Sequence, residues 1–478
     1  MAKKFYITTA IPYVNASPHL GHALEFVQVD AAARYHRLVG EVFFATGSDE
    51  NALKNVQAAQ KRNMTTQQLC DQVTQEFKKF ARRLNIQYDV WRRGSDKKRH
   101  WPGVHRLWQL CQKSGDIYKK SYQGLYCVGC EAFLTPKDLQ NGQCPYHLKK
   151  PELIEEINYF FRLSKYEDKI KHLIESNELK VFPKKRKNEI LAFINQGLKD
   201  FSVSRSTQRT HGWGIPVPGD DSQMIYVWYD ALTIYMTAVG WGYDQKRWKG
   251  FWPADLHVIG KDIVRFHAVY WPAMLLSAGL ALPKAILVHG FITSGGQKMA
   301  KSLGNVVDPQ EIAKKYGADA LRYYLLKEIP TQDDGDFTVK HFEEIYNADL
   351  ANGLGNLVQR VAKLAEDYKI YNNYKLYKNY KIYNKFFSEY RFNDCLVWLW
   401  EKIASVDKYL DQTQPWNKKG KERVKILVKP VKEIREIAFL LQPFLPETAV
   451  AIEKIFSADK IKAPGKPLFP RLPVGRQG

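Results

Sequence analysis

Phe5-Tyr6-Ile7-Thr8-Thr9, followed by Ser17-Pro18-His19-Leu20-Gly21-His22, is the stretch that decides the fold. The first five residues are β-branched or aromatic and read as a buried strand. Ser17-Pro18 is an N-cap and first-turn pair, after which Leu20, Ala23, Val27 and Ala31 share one face of a helix running to about Val39. Gly40 ends that helix, and Val42-Phe43-Phe44-Ala45 is a second strand closing at Gly47. Strand, helix and strand in this order predict a parallel sheet in an α/β domain.

Working outward, the rhythm breaks near Gly115 and resumes at Ile225. Leu256-His257-Val258-Ile259 and Ala285-Ile286-Leu287-Val288 read as further strands, with a helix from Lys261 onward. The intervening segment reads as an insertion that splits one α/β domain. Gly290 to Asn305 is a polar, glycine-rich loop, and Asp308-Pro309 opens a short helix ending at Gly317. From Tyr346, apolar residues at helical spacing (Leu350, Leu354, Leu357, Val358 and Val361, later Leu396, Leu399, Ile403 and Val406) predict a helical bundle. The expected boundaries are 1–115 and 225–290 for the split α/β domain, 116–224 for the insertion, 291–345 for the loop region, 346–462 for the bundle and 463–478 for a flexible tail rich in proline and glycine. The Lys/Tyr/Asn-rich stretch from Tyr368 to Phe387 reads as a solvated helix or linker, with an RNA-stacking patch as the alternative.

Composition narrows the function. In 478 residues, 45% are hydrophobic and 26% charged, which excludes disordered and fibrous classes. Lys+Arg number 72 against Asp+Glu 50, a net charge of +22 that points to a polyanionic partner. Six cysteines in this length do not make a disulfide scaffold. The start carries no long apolar run, and Phe266 to Leu282 is interrupted by His267, Pro272 and Gly279, so it reads as a buried core helix rather than a membrane span. The expectation is a soluble, cytoplasmic protein.

Three constellations carry chemistry. His19-Leu20-Gly21-His22 puts two imidazoles in the first turn of a helix, where free backbone N–H groups and the positive dipole end attract phosphate. Residues at i and i+3 share a face, so both rings can donate to phosphoryl oxygens, while Gly21 leaves room for a base or ribose. Lys298-Met299-Ala300-Lys301-Ser302, flanked by Gly295-Gly296 and Gly304, can bring ammonium groups onto a leaving pyrophosphate. Cys127-x2-Cys130 and Cys144-x2-His147 have the spacing of a tetrahedral zinc knuckle with no open position, hence a structural Zn2+. Ligands bind beyond the carboxyl ends of strands in open parallel sheets. Three such ends are Ala10-Ile11-Pro12-Tyr13, Asp49 and Gly260-Lys261-Asp262, with Ile263 and His267 one helical turn apart.

The histidine and lysine signatures, in this order, resemble those of the class I aminoacyl-tRNA synthetases. Residues 5–51, 212–231, 259–273 and 290–309 are similar to the bacterial methionyl-tRNA synthetase family. The resemblance implies a Rossmann-like domain split by a zinc-containing connective insertion and followed by an all-α anticodon-binding bundle. It implies methionine–tRNA ligase activity through methionyl-adenylate, with ATP and Mg2+, and transfer to the 2′-hydroxyl of the terminal adenosine of initiator and elongator tRNA(Met). By the same resemblance His19, Gly21, His22, Gly260, Asp262, Lys298 and Lys301 would bind ATP, His19, His22, Lys298 and Lys301 being catalytic. Asp49 would take the methionine amino group, and Ile11, Tyr13, Trp228, Ala231, Tyr235, Ile263 and His267 would enclose its side chain. Asn356, Arg360 and Trp416 would read the anticodon. A monomer is expected, because the further domain through which family members dimerise does not follow the bundle. Ala300, Asn51 and Ala52 stand where the family often has serine, histidine and glycine. Small adenylyltransferases also carry H-x-G-H, and a non-catalytic RNA-binding paralogue is a third reading.

Overall fold

The computed structural model describes residues 3–130, 132–299, 305–366, 368–370, 380–458 and 460–473. The chain forms two compact units. The first comprises Met1–Pro18, Gly40–Phe80 and Gln87–Val288, and the second His19–Val39, Ala81–Ile86 and His289–Gly478.

The first unit is built on a six-stranded sheet with β1 (Lys3–Thr8) at its centre. Its strand order is Val90–Arg93, β2 (Gly40–Ser48), β1, Leu256–Gly260, Ala285–His289 and Lys180–Phe182. β1 runs parallel to β2 from Lys3↔Gly40 to Thr8↔Ala45, and parallel to Leu256–Gly260 on its other side. Phe5, Tyr6, Ile7 and Thr8 are buried on both faces, as a strand covered on two sides requires. The strand order reverses between β1 and Leu256–Gly260, so the crevice beyond these two strand ends is the natural ligand position.

The insertion differs from its expected boundary. Lys180–Phe182, from within 116–224, pairs in parallel with Ala285–His289 and completes the main sheet. Three residues are too few for periodicity to announce a strand. The rest of the insertion forms an antiparallel sheet of Ala132–Leu134, Ile117–Cys127, Glu152–Phe161 and Phe201–Ser202, beside a smaller sheet of Pro216–Val217, Asp220–Ile225 and Ser204–Ser206. The apolar stretch from Phe266 is a wide π-helical turn, Phe266–Tyr270, running into the helix Trp271–Ser277, and Trp271 is fully buried. Burying an aromatic of this size stabilises by about 2–3 kcal/mol.

In the second unit, α1 (Leu20–Arg37) joins the helices of the C-terminal half. Its fully buried Asp30 accepts from Arg322 (2.8 Å) and Arg34 (2.6 Å). Arg322 also donates to the carbonyls of Phe444 (2.8 Å), Pro443 (2.9 Å) and Leu84 (3.1 Å). Tyr35 stacks on Phe387 with ring centroids 4.0 Å apart. Consecutive sequence suggested that α1 belongs with residues 1–115, but these long-range contacts place it in the second unit. The bundle itself includes Asn356–Ala365, Phe392–Thr413, Gly420–Leu441 and Pro446–Phe456.

The expected tail is also corrected. Over 463–473 it lies on the bundle: Phe469 is buried edge-on to Tyr346, and Leu472 exchanges hydrogen bonds with the Asn347 side chain (2.9 and 3.3 Å). Proline-rich composition hid an apolar anchor. Within Tyr368 to Phe387, residues 371–379 lie outside the described residues, while Lys381–Ser388 is a helix with Tyr383 and Phe387 in the core.

Candidate active site

At the switch point of the first unit, the link after β1 meets the end of β2. Tyr13 and Asp49 form an isolated parallel bridge, the Asp49 N–H donates to the Pro12 carbonyl (2.8 Å), and Asn55 Nδ2 donates to the Asp49 carbonyl (3.0 Å). Asp49 is buried. The Lys54 ammonium lies 3.0 Å from the Tyr13 ring centroid. Next to Asp49, Glu50 is fully buried and receives Ser48 Oγ (2.6 Å), Thr74 Oγ1 (3.1 Å), Arg93 Nε (2.7 Å) and Ser95 Oγ, which fixes the exit of β2.

An aromatic wall continues from Tyr13. Its ring meets Trp228 edge-on at 6.3 Å, Trp228 stacks flat on Phe266 at 3.9 Å, and His267 meets Trp228 edge-on at 6.2 Å. Trp228, Ala231 and Tyr235 follow one face of the helix Val227–Ala238 at i, i+3 and i+7. The His267 Nδ1–H donates to the Ile263 carbonyl (3.0 Å), and burial pulls the imidazole down to about 4, a pull the Ile263 bond only partly offsets. The ring is therefore neutral at pH 7 and its Nε2 accepts the Tyr235 O–H at 2.8 Å. Ile11 and Ile263 are half-buried beside this wall. Gly260 is buried at its strand end and Asp262 is exposed in the turn after it.

In the second unit, His19 is the N-cap of α1 and accepts from the Gly21 N–H at Nδ1 (3.1 Å), while the His19 N–H donates to Nδ1 of His22 (3.2 Å). The rings lie 3.9 Å apart. Burial lowers the His19 pKa; it lowers that of His22 further, with the charges of His19 and His289 pressing the same way. Both rings are thus neutral at pH 7, and with each Nδ1 accepting, each proton sits on Nε2. The pair stands at a helix N-terminus. A Cβ on Gly21 would stand 2.9 Å from Cε1 of His19, so the glycine first of all makes room for the capping imidazole itself.

The lysine segment follows a hairpin of Ile292–Ser294 and Gln297–Lys298 that turns through Gly295-Gly296, both at positive φ. Asp336 accepts from Thr293 Oγ1 (2.6 Å), Gly296 N (2.9 Å) and Gly295 N (3.2 Å) and so holds the turn. Lys301, with Ala300, Ser302 and Gly304, lies outside the described residues.

Cys127, Cys130, Cys144 and His147 converge with all donor atoms within 4.8 Å of one another. Four of the separations are 3.5 Å (Cys130–Cys144) and 3.4, 3.6 and 3.9 Å (His147 Nδ1 to Cys130, Cys144 and Cys127). A tetrahedral zinc with arms of about 2.3 Å to sulfur and 2.0 Å to nitrogen has edges of roughly 3.5–3.8 Å, so the donor set fits this ion. A Cβ on Gly129 would approach the His147 ring to 2.4 Å, which explains the glycine between the first two cysteines.

On the bundle, Asn356, Arg360 and Trp416 line one open groove of about 550 Å³ with Gln359, Lys363 and Leu364. The Arg360 guanidinium lies 4.7 Å over the Trp416 ring and is held by Asp411 (2.7 Å). Trp416 is 40% exposed, as a base-stacking residue needs to be and a core residue would not.

Sequence reasoning missed several residues of these sites. Phe266 backs Trp228 but reads as ordinary core. His289 bonds Glu25 (3.1 Å) at the end of its strand, and a lone histidine there carries no pattern. Glu50 follows Asp49 directly and could have been suspected from that acidic pair alone.

A family model described as "tRNA synthetases class I (M)" matches residues 5–149 and 129–362. The chain is 39% identical to the methionine–tRNA ligase of Thermotoga maritima, covering 95% of this chain and 75% of that protein. It is 40% identical to that of Brucella suis, covering 96% and 93%. A solved structure of Mycobacterium tuberculosis methionyl-tRNA synthetase in complex with methionyl-adenylate superposes with a TM-score of 0.91 at 35% identity, covering 98% of this chain and 100% of that one. Fold, paired imidazoles, aromatic wall and likeness along nearly the whole length agree, and the chain belongs to the class I aminoacyl-tRNA synthetases, in their methionyl family.

Proposed function

We propose that the chain is a methionine–tRNA ligase that activates methionine with ATP and then charges initiator and elongator tRNA(Met). The observation that carries this reading is the pair of neutral imidazoles 3.9 Å apart at the N-terminus of α1, each accepting a backbone N–H at Nδ1 so that its proton sits on Nε2.

In the first step an oxygen of the methionine carboxylate attacks the α-phosphorus of ATP in line. The bond to the β-phosphate bridging oxygen breaks, and pyrophosphate leaves with the electron pair. His19 and His22 donate to triphosphate oxygens, and Lys298 and Lys301 neutralise charge that grows on the leaving group, so catalysis is by positioning and electrostatics. Neutral imidazoles serve because they donate without holding pyrophosphate by full ion pairs. Gly260 lets the nucleotide approach the strand end, and Asp262 takes the ribose hydroxyls. Mg2+ bound to the ATP phosphates would screen their charge.

Asp49 pairs with the amino group of methionine. Ile11, Tyr13, Trp228, Ala231, Tyr235, Ile263 and His267 surround the thioether, which is apolar and polarizable and favours aromatic neighbours. The Tyr235 O–H is held by Nε2 of His267. In the second step the 2′-hydroxyl of the terminal adenosine attacks the methionyl carbonyl and AMP leaves.

Cys127, Cys130, Cys144 and His147 would hold a structural Zn2+, since four chain donors would leave it no open position. The net charge of +22 supports a long tRNA footprint. Asn356, Arg360 and Trp416 read the anticodon. Among the described residues no helix is long and apolar enough to cross a membrane, and the reading places the protein in the cytoplasm. The test is ATP–pyrophosphate exchange with each of the twenty amino acids in turn. Exchange that requires methionine supports the reading, and exchange without it, or none, overturns it.

A further inference from the structure

Behind the aromatic wall of the first unit runs a chain of buried polar side chains that the mechanism does not use. Asn51, Asp230, His100 and Thr237 are all buried, Asp230 at 1% exposure and His100 and Thr237 at zero. Asn51 Nδ2 donates to Asp230 Oδ2 (2.7 Å) and also meets the Gly94 carbonyl (3.1 Å). The other oxygen of the same carboxylate receives Nε2 of His100, and Nδ1 of His100 bonds Thr237 Oγ1 at 2.7 Å. Each link is between groups far apart in sequence, so the chain fastens one segment to another.

The segments it fastens are the two sides of the proposed amino-acid pocket. Asn51 lies two residues after Asp49 at the exit of β2. Asp230 and Thr237 lie two helical turns apart on Val227–Ala238, the helix that carries Trp228, Ala231 and Tyr235. Seven residues bring Asp230 and Thr237 to one stripe of that helix, angularly apart from the stripe of Trp228, Ala231 and Tyr235. They grip the helix from outside the pocket. A buried carboxylate with one donor per oxygen is rigid, because losing either donor strands a desolvated acceptor.

We propose that Asn51, Asp230 and His100 are positioning residues that set the separation between the Asp49 carboxylate and the Trp228–Ala231–Tyr235 face, and thereby the discrimination of methionine from other apolar amino acids. The inference rests on the methionine-activating reading above. Asn51 grips from the Asp49 side and His100 from the far end, with Asp230 as the shared acceptor. An apolar pocket distinguishes side chains differing by one methylene only modestly, so a wall displaced by a fraction of an ångström is enough to erode selectivity.

The test uses the full chain and the variants Asn51→Leu, Asp230→Asn and His100→Gln, with methionine, leucine and ATP as ligands. Methionine binding is measured by calorimetry and exchange kinetics in parallel. Asn51→Leu and Asp230→Asn should raise both the dissociation constant and the KM for methionine roughly tenfold. The KM for ATP should stay within about twofold, and the preference for methionine over leucine should fall. His100→Gln, which keeps an amide donor for Asp230, should retain most of the selectivity that the other two lose. A uniform loss of kcat with methionine affinity and selectivity intact would overturn the clamp, as would parallel rises in the KM for methionine and ATP. If a variant does not fold, Thr237→Val tests the outer end of the same chain under the same criteria. Wild-type protein that binds no methionine would refute the functional reading itself, whereas normal wild-type binding with unaltered variants refutes only the clamp.

Discussion

Acid should loosen the proposed amino-acid pocket through His267, and the size of the effect follows from its surroundings. Burial takes this imidazole from its ordinary 6.5 to about 4. The folded ring is neutral, with Nδ1–H on the Ile263 carbonyl and Nε2 accepting from Tyr235, while an unfolded chain would protonate it readily. A base whose pKa is depressed by folding contributes stability that is fully present above about pH 6.5 and drains away as pH falls toward 4, because the unfolded state binds the extra proton. At about 1.4 kcal/mol per pH unit, the interval is worth about 3.5 kcal/mol. Other buried histidines of the same unit, such as His257, tilt the curve in the same direction, so the His267 share must be isolated by difference. Urea denaturation followed by tryptophan fluorescence at pH 7, 6, 5 and 4.5 on the wild type and on His267→Gln provides it. His267→Gln should be less stable at pH 7, and the stability difference should move against the wild type by about 2.5 kcal/mol between pH 7 and pH 4.5. Parallel curves across the whole range would refute the neutral, doubly bonded imidazole.

The remaining predictions concern the other sites. Purified protein should contain one zinc per chain by elemental analysis, and Cys144→Ser should lose it and destabilise the pairing of Ile117–Cys127 with Ala132–Leu134, seen as faster proteolysis within 117–161; retained stoichiometric zinc would remove Cys144 from the ligand set. Lys301→Ala should slow ATP–pyrophosphate exchange by about 100-fold or more while leaving methionine affinity within about twofold, since its charge is needed when pyrophosphate leaves. Trp416→Ala should weaken tRNA charging through KM by about tenfold and spare adenylate formation, because base stacking on an exposed ring is worth about 1–3 kcal/mol; unchanged charging would take Trp416 out of the anticodon groove.

The opening βαβ unit was legible because a sheet covered on both faces writes itself as apolar runs, and Phe5–Thr8 is such a run. The Cys127–Cys130–Cys144–His147 cluster was legible because its four donors lie close in sequence, and spacing then carries the geometry. Lys180–Phe182 was not legible, since a three-residue edge strand is defined by its partner Ala285–His289 rather than by its own pattern. The membership of α1 in the second unit was hidden for a related reason. Asp30 reads as a surface residue until Arg322 is brought to it across the fold. The Asn51–Asp230–His100 chain joins positions separated by up to 179 residues, and no local rule links them. The exposure of Trp416 was not legible either, since a tryptophan after a proline carries no local sign of whether it is buried.

The central claim is that His19 and His22 act as neutral Nε2–H donors to the triphosphate. Methionine-dependent ATP–pyrophosphate exchange by His22→Gln and His22→Asn tests it most directly, because glutamine places its amide donor where Nε2 stands and asparagine places it where Nδ1 stands. The account predicts that glutamine retains at least tenfold more exchange than asparagine, the value of one donor to a charged oxygen. Equal loss in both, or no loss in either, would contradict it.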